Sequence, residues 1–282
     1  MGFGCNAAAV VGTRIINSPR EKLIAILTNC FVPCNGRFPF LITVATIFIS
    51  GSIAGIFSGL VAAIVVMFVV LLGILLTLLV SKILSKTILK GLPSSFTLEL
   101  PPYRTPQIGK ILIRSLFDRT LFVLGKAISI AAPAGIVIWL FSNINVGGIS
   151  ILDFIANALN PFAKLIGLDG YILTGFILGI PANEIVLPII LMGYLKNKEL
   201  IDIENVAVIG NILTANGWNL LTAINVMIFT LLHFPCGTTL LTIKKETKSI
   251  KWTIVSFLLP TLCGIIVCFI TTQTYNLINL LI

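Results

Sequence analysis

Charge is scarce in this sequence, and acidic charge scarcest. The chain of 282 residues holds 10 Asp and Glu and a single His against 19 Lys and Arg. With 10% charged and 57% hydrophobic residues and a mean hydropathy of +1.09, it has too little polar surface to coat a soluble core, which places it in a bilayer. The net charge of +9 does not mark a nucleic-acid binder, because the basic residues sit in connecting stretches rather than on one face. Eight lie between Lys82 and Lys126, four between Arg14 and Arg37, and four between Lys244 and Lys251. The positive-inside rule reads those stretches as cytoplasmic. The six cysteines form no C-x-x-C pair, which argues against a zinc ribbon or a disulfide scaffold. G-x-x-x-x-G-K-[ST], G-x-G-x-x-G and H-E-x-x-H are all missing, so the sequence offers no nucleotide site and no zincin chemistry. His233 and Cys236 have Pro235 between them and no orienting acid, which argues against a nucleophilic hydrolase. The N-terminus lacks the long apolar region of a signal peptide.

What is present is apolar runs interrupted at their middles. Tyr171 to Leu195 would rise about 37 Å as one helix, against a hydrocarbon core of roughly 30 Å. It is broken by Pro181-Ala182-Asn183-Glu184. Pro181 removes a backbone donor, and Glu184 at that depth needs a cavity, a partner or a cation. Leu23 to Ile49 is broken likewise by Pro33-Cys34-Asn35-Gly36-Arg37, and an arginine there excludes a plain lipid-facing helix. Ile53 to Leu79 reads as an uninterrupted span whose Gly55 and Gly59 form a weak packing signal. Ser81 to Leu92 reads as a surface segment with Lys82, Lys86 and Lys90 on one face. Prolines 93, 101, 102 and 106 stop any long helix in the connection that follows.

Leu121 to Phe141 spans again, and Asn143 to Gly170 reads as an amphipathic segment on the outer side. The broken span 171–195 is then expected to return inward to Lys196 and Lys198. On that footing 205–237, broken at Ala215 to Asn219 and at His233 to Gly237, must enter and come back as a re-entrant hairpin. Trp252 to Thr272 is the last plain span, with Cys263 and Cys268 as packing residues. About seven or eight membrane segments result. The breaks echo one another: Phe31-Val32-Pro33-Cys34-Asn35-Gly36 and His233-Phe234-Pro235-Cys236-Gly237 are each preceded by a polar element, Gly4-Cys5-Asn6-Ala7 and Pro181 to Glu184. Unwound segments at matching places in two halves are how repeat-built transporters form a site.

The polar groups at these breaks are Cys5, Cys34 and Cys236 thiols, the Glu184 carboxylate, His233 imidazole, and the amide oxygens of Asn6 and Asn183. Sulfur, nitrogen and oxygen together suit first-row divalent ions such as ferrous iron better than Na⁺ or Ca²⁺. Pro33, Pro181 and Pro235 set the pore and gating breaks, and Arg37 is expected to place a positive barrier at the cytoplasmic end of the path.

GFGCN at Gly2 to Asn6, PCNGRFPF at Pro33 to Phe40, KGLPSSFTLELPPYRTP at Lys90 to Pro106, IPANEIVLPI at Ile180 to Ile189, ANGWN at Ala215 to Asn219 and HFPCGTTLLTIKKET at His233 to Thr247 occur here in order. In these the chain resembles the membrane half of the ferrous iron transport protein B family. The resemblance implies an all-α polytopic membrane bundle with broken or re-entrant helices and two Gate-type repeats. These are laid out as 1–80, a connection at 81–120, and 121–282, the last holding the broken stretches 171–195 and 205–237 and a final span at 252–274. It implies Fe²⁺ as transported substrate across a bacterial inner membrane, with Cys34 and Cys236 as the Gate cysteines of the iron path and Cys5 with Asn6 as the GFGCN element. Family members carry an N-terminal GTP-binding domain and further helices before GFGCN, so a fragment, a split subunit or an isolated Gate-type protein is expected here. Its implied partners are the lipid bilayer, a GTP-binding domain or subunit in trans, small cytosolic regulatory proteins and further copies of the chain, with no nucleic acid. Two alternatives stay open: a permease for nucleosides or other small organic solutes, and a non-transporting membrane interaction protein.

Overall fold

The computed structural model describes residues 2–50, 57–89, 91, 107, 109–110, 113, 117, 121–146, 149–196 and 205–281. Among them the only strands are two-residue pieces, β1 (Asn145–Val146) and β2 (Ile149–Ser150), so the chain is an all-α membrane bundle. Four elements are long and apolar enough to cross a bilayer: Pro19–Ile49, Gly59–Lys86, Leu220–Thr247 and Ile250–Leu280.

The first crossing element follows α1 (Asn6–Gly12) and joins α2 (Pro19–Thr28) to α3 (Phe38–Ala45) through the Pro33 break. Ser18 starts it by accepting the Glu21 amide at 3.4 Å, with Pro19 in the first turn where its missing N–H costs nothing. Next comes α4 (Phe57–Lys86), then α5 (Phe122–Asn143), α6 (Ile151–Leu165), α7 (Gly170–Leu178), α8 (Val186–Leu195) and α9 (Val206–Ala215). Then α10 (Leu220–Leu232) and α11 (Gly237–Thr247) make the second broken crossing, and α12 (Ile250–Leu281) the last. The second broken crossing has 72% of its apolar window buried, against 17% for α4 and 22% for α12, so it is the axis of the bundle and they are its lipid-facing flanks.

The α7–α8 stretch departs from the sequence reading. Instead of one broken crossing over 171–195, the two helices run antiparallel as a re-entrant hairpin with its tip at 179–185. A Cβ on Gly175 would meet Ile190 Cγ1 at 2.6 Å, one on Gly179 would meet Val186 Cγ2 at 2.5 Å, and one on Gly193 would meet Tyr171 Cδ1 at 2.5 Å. Only bare glycine faces let the two backbones approach that closely. The helices have 9 and 10 residues, about half the hydrocarbon thickness each. The preceding helix α6 meets α7 at 112°, and Asp169 caps α7 by accepting the Ile172 amide at 2.7 Å.

That hairpin overturns the expected sidedness. The Trp218 indole donates to the Tyr194 hydroxyl at 2.7 Å, and Tyr194 donates to Asp169. Lys196 therefore lies at the Leu220 end of the second broken crossing. Glu246 lies at the opposite end, paired with Arg14 at 2.6 Å and Lys22 at 3.5 Å. The hydrogen bond from Arg14, and then its charge interaction with Glu246, hold the Arg14 guanidinium above its usual pKa. The re-entrant element is thus 170–195, and 220–247 crosses. Lys196 misled because it is a left-handed cap at φ 51°, where a cation complements the end of α8 whichever way that end faces.

Two smaller expectations also change. Lys82 and Lys86 lie in the last turns of α4 rather than on a separate surface segment, while Lys90 and Lys198 fall outside the described residues. Gly55 is outside them too, and a Cβ on Gly59 would meet nothing within 4 Å. The close approach on α4 is instead at Gly73, where a Cβ would lie 2.6 Å from the Phe31 carbonyl. The buried Asn225 side chain donates to the Ile166 carbonyl at 3.1 Å and to the Thr272 hydroxyl at 2.8 Å, tying α10 to the α6–α7 bend and to α12. Cys268 is buried and its thiol donates to the Asn225 carbonyl.

Candidate functional site

The breaks meet near the middle of both broken crossings. Arg37, 0% exposed, collects the carbonyls that unwinding frees. It donates to Cys30 O at 3.1 Å and Leu231 O at 2.9 Å from one nitrogen, and to His233 O at 3.0 Å and Phe234 O at 3.1 Å from the other. A planar fork of donors suits four acceptors from two chain segments, so Arg37 staples one break to the other. Its full burial differs from the expected charge at the cytoplasmic mouth.

The polar loops ahead of the breaks dock on them in parallel ways. The Asn35 amide, just after Cys34, donates to Gly4 O at 3.0 Å; the Gly237 amide, just after Cys236, donates to Ile180 O at 2.7 Å. The first bond carries Cys5 and Asn6, at the start of α1, to Cys34. The second carries the hairpin tip, with Asn183 and Glu184, to Cys236.

Asn183, buried, has its Nδ2 3.6 Å from Cys34 Sγ and its Oδ1 3.3 Å from His233 Nε2. His233 is 1% exposed, and its Nδ1 lies 3.1 Å from Phe229 O and 2.9 Å from Thr230 O. The Cys236 thiol shares a 3.2 Å hydrogen bond with the Thr239 hydroxyl. Buried Asn6 keeps Oδ1 without any hydrogen-bond partner, as does Arg37 Nε. An unbonded buried amide oxygen is costly, and a bound cation or water would relieve it.

The structure thus brings together Cys5, Asn6, Cys34, Asn183, His233 and Cys236, with Pro33 and Pro235 buried in the break walls and Pro181 half-buried at the hairpin tip. Glu184 is exposed and lies against the Gly36 backbone, where a Cβ would be 3.1 Å from its Oε1. Among the described residues no three His, Cys, Asp or Glu side chains are grouped so as to hold a metal ion. Thr239 escaped the sequence reading, although its place three residues after Cys236, in a Pro-Cys-Gly-Thr-Thr run, is that of a polar partner in a first helical turn. The Gly36 contact was also missed, and local sequence carried no signal for it.

Residues 66–118 match the family described as ferrous iron transport protein B C terminus, and residues 124–250 match that described as nucleoside recognition. The Fe(2+) transporter FeoB of Staphylococcus aureus (strain MSSA476) is 32% identical over 288 residues, which cover 98% of this chain and 40% of the relative. That of Synechocystis sp. is 25% identical, over 98% of this chain and 43% of the relative, and that of Methanocaldococcus jannaschii 26%, over 99% and 41%. The chain therefore spans about 40% of the length of these relatives. No solved structure matches it.

Proposed function

This chain belongs to the ferrous iron transport protein B family, whose C-terminal membrane portion it parallels, and on that premise we propose that it forms the permeation path for Fe²⁺. The observation that carries the reading is the docking of the Cys5–Asn6 loop on the Cys34 break and of the Asn183 loop on the Cys236 break at mid-membrane depth, with the buried Asn6 oxygen left unbonded. Thiols and amide oxygens in a protein-walled break are a donor set for a borderline divalent ion. A path needs donors that hold the ion in passing and release it, and a row of pairs does this better than a closed cage. In this reading Glu184 receives the ion at the exposed edge of the hairpin tip, the thiols and Asn6 carry it across the waist, and Arg37 ties the two breaks together.

Residues 1–80 and 121–282 act as two Gate-type repeats in inverted sense, joined by the 81–120 connection. The paired amide bonds after Cys34 and Cys236 support this. So do the directions of α1, which leaves the waist toward Glu246, and α8, which leaves it toward Trp218. The chain itself performs no catalysis. A GTP-binding domain or subunit acts on it at the Glu246 end, which the basic residues mark as cytoplasmic. The test is anaerobic Fe²⁺ titration of the purified chain in lipid. Saturable binding weakened roughly tenfold or more by Cys34→Ser with Cys236→Ser is expected, as loss of two ligands implies. Equal affinity in the double variant would remove the thiols from the path.

A further inference from the structure

His233 is the chain's single histidine, and its surroundings fix which nitrogen carries the proton. Nδ1 faces two backbone carbonyls, Phe229 O and Thr230 O, which can only accept, so Nδ1 is the N–H. A doubly protonated ring would be a second buried cation beside Arg37, which already donates to the His233 carbonyl at 3.0 Å. Nε2 is therefore a bare lone pair. The group 3.3 Å from it is the Asn183 side-chain amide, whose oxygen and nitrogen are interchangeable by a half-turn of the terminal torsion. Two acceptors facing each other repel, whereas a half-turn brings the amide nitrogen to Nε2 and the amide oxygen toward Cys34 Sγ, 3.6 Å from the other end of the same amide.

We propose that His233 is a positioning residue: its Nε2 takes the Asn183 NH₂ and so presents the Asn183 carbonyl oxygen beside the Cys34 sulfur, pairing oxygen and sulfur donors for a divalent cation. This rests on the Fe²⁺ path for its purpose but not for its geometry. His233 thereby leaves the ligand set and acts through Asn183. The ring is held for that task by aromatic neighbours, with Phe176 at 4.8 Å, Phe234 at 5.3 Å and Phe229 at 6.2 Å between centroids.

Because no other histidine is present, labelling with NMR-active nitrogen gives one imidazole pair in the intact chain in lipid, without metal. The expected result is a pyrrole-type Nδ1 and a pyridine-type Nε2, with the Nε2 signal moving downfield in Asn183→Ala as its donor is lost. A protonated Nε2 would overturn the arrangement whatever the iron result. In Fe²⁺ titration, His233→Phe, which keeps the aromatic packing, is expected to weaken binding roughly tenfold in the native background and less than about twofold in Asn183→Ala. An equal loss in both backgrounds would make His233 an independent ligand and sink the positioning role. Native chain showing the expected imidazole signals but no iron binding would defeat the iron path and leave the His233–Asn183 arrangement standing.

Discussion

At the scale of the residue, the waist depends on one arginine. Four carbonyls from two broken helices converge on Arg37 because unwinding left them without amides, and in a membrane no water is at hand to replace those bonds. Lysine keeps the charge but has neither the fork nor the reach to serve both breaks. Arg37→Lys should therefore destabilise the chain by about 3 kcal/mol, the scale of disrupting a buried charge network. Thermal unfolding in detergent would show a melting point lower by several degrees; an unchanged one would mean the carbonyls find other donors. The sequence announces Arg37, Cys34 and Cys236 as polar intrusions in Pro-broken apolar runs, and Cys5 by its place between Gly4 and Asn6. What it does not announce is direction. An arginine in a break reads equally well as a pore charge or a staple, and only the tertiary position of Leu231, His233 and Phe234 decides between them.

At the scale of the element, the hairpin α7–α8 is pinned at its open end and docked on the breaks at its tip. Asp169 caps α7 and accepts from Tyr194 at the end of α8, while Trp218 donates to the same Tyr194 oxygen. Tyr194→Phe would leave a partly buried indole N–H and carboxylate short of a partner, at a cost of about 1–3 kcal/mol. Hydrogen exchange should then speed up across Tyr171 to Leu195 while α12 is unaffected; uniform change throughout the chain would rule out a local latch. The break at Pro181 was legible in sequence, but the reversal was not, because half a crossing and half a hairpin have the same composition and length. One signal did exist. Gly175 and Gly179 are four apart on one face, the spacing read at Gly55 and Gly59, and here the second helix fills it.

At the scale of the whole molecule, the bundle has two chemically distinct ends. Arg14, Lys22, Lys244 and Lys248 gather with Glu246, whereas Lys196 ends α8 beside Asp169 and Trp218. Counting basic residues assigned both lysine groups to one side, since a sequence carries no record of which positive charge caps a helix and which anchors a membrane face. Lys248→Cys should react with an impermeant thiol reagent only from the cytoplasmic side and Lys196→Cys only from the other. Labelling of both from one side would reverse the fold of 170–195.

The central claim is that sulfur from both broken crossings reaches one passing cation. Iron K-edge absorption on the Fe²⁺-loaded chain under anaerobic conditions tests it most directly. The account predicts a sulfur shell that shrinks in Cys34→Ser and again when Cys236→Ser is added; a shell of oxygen and nitrogen alone, unchanged by either substitution, would contradict it.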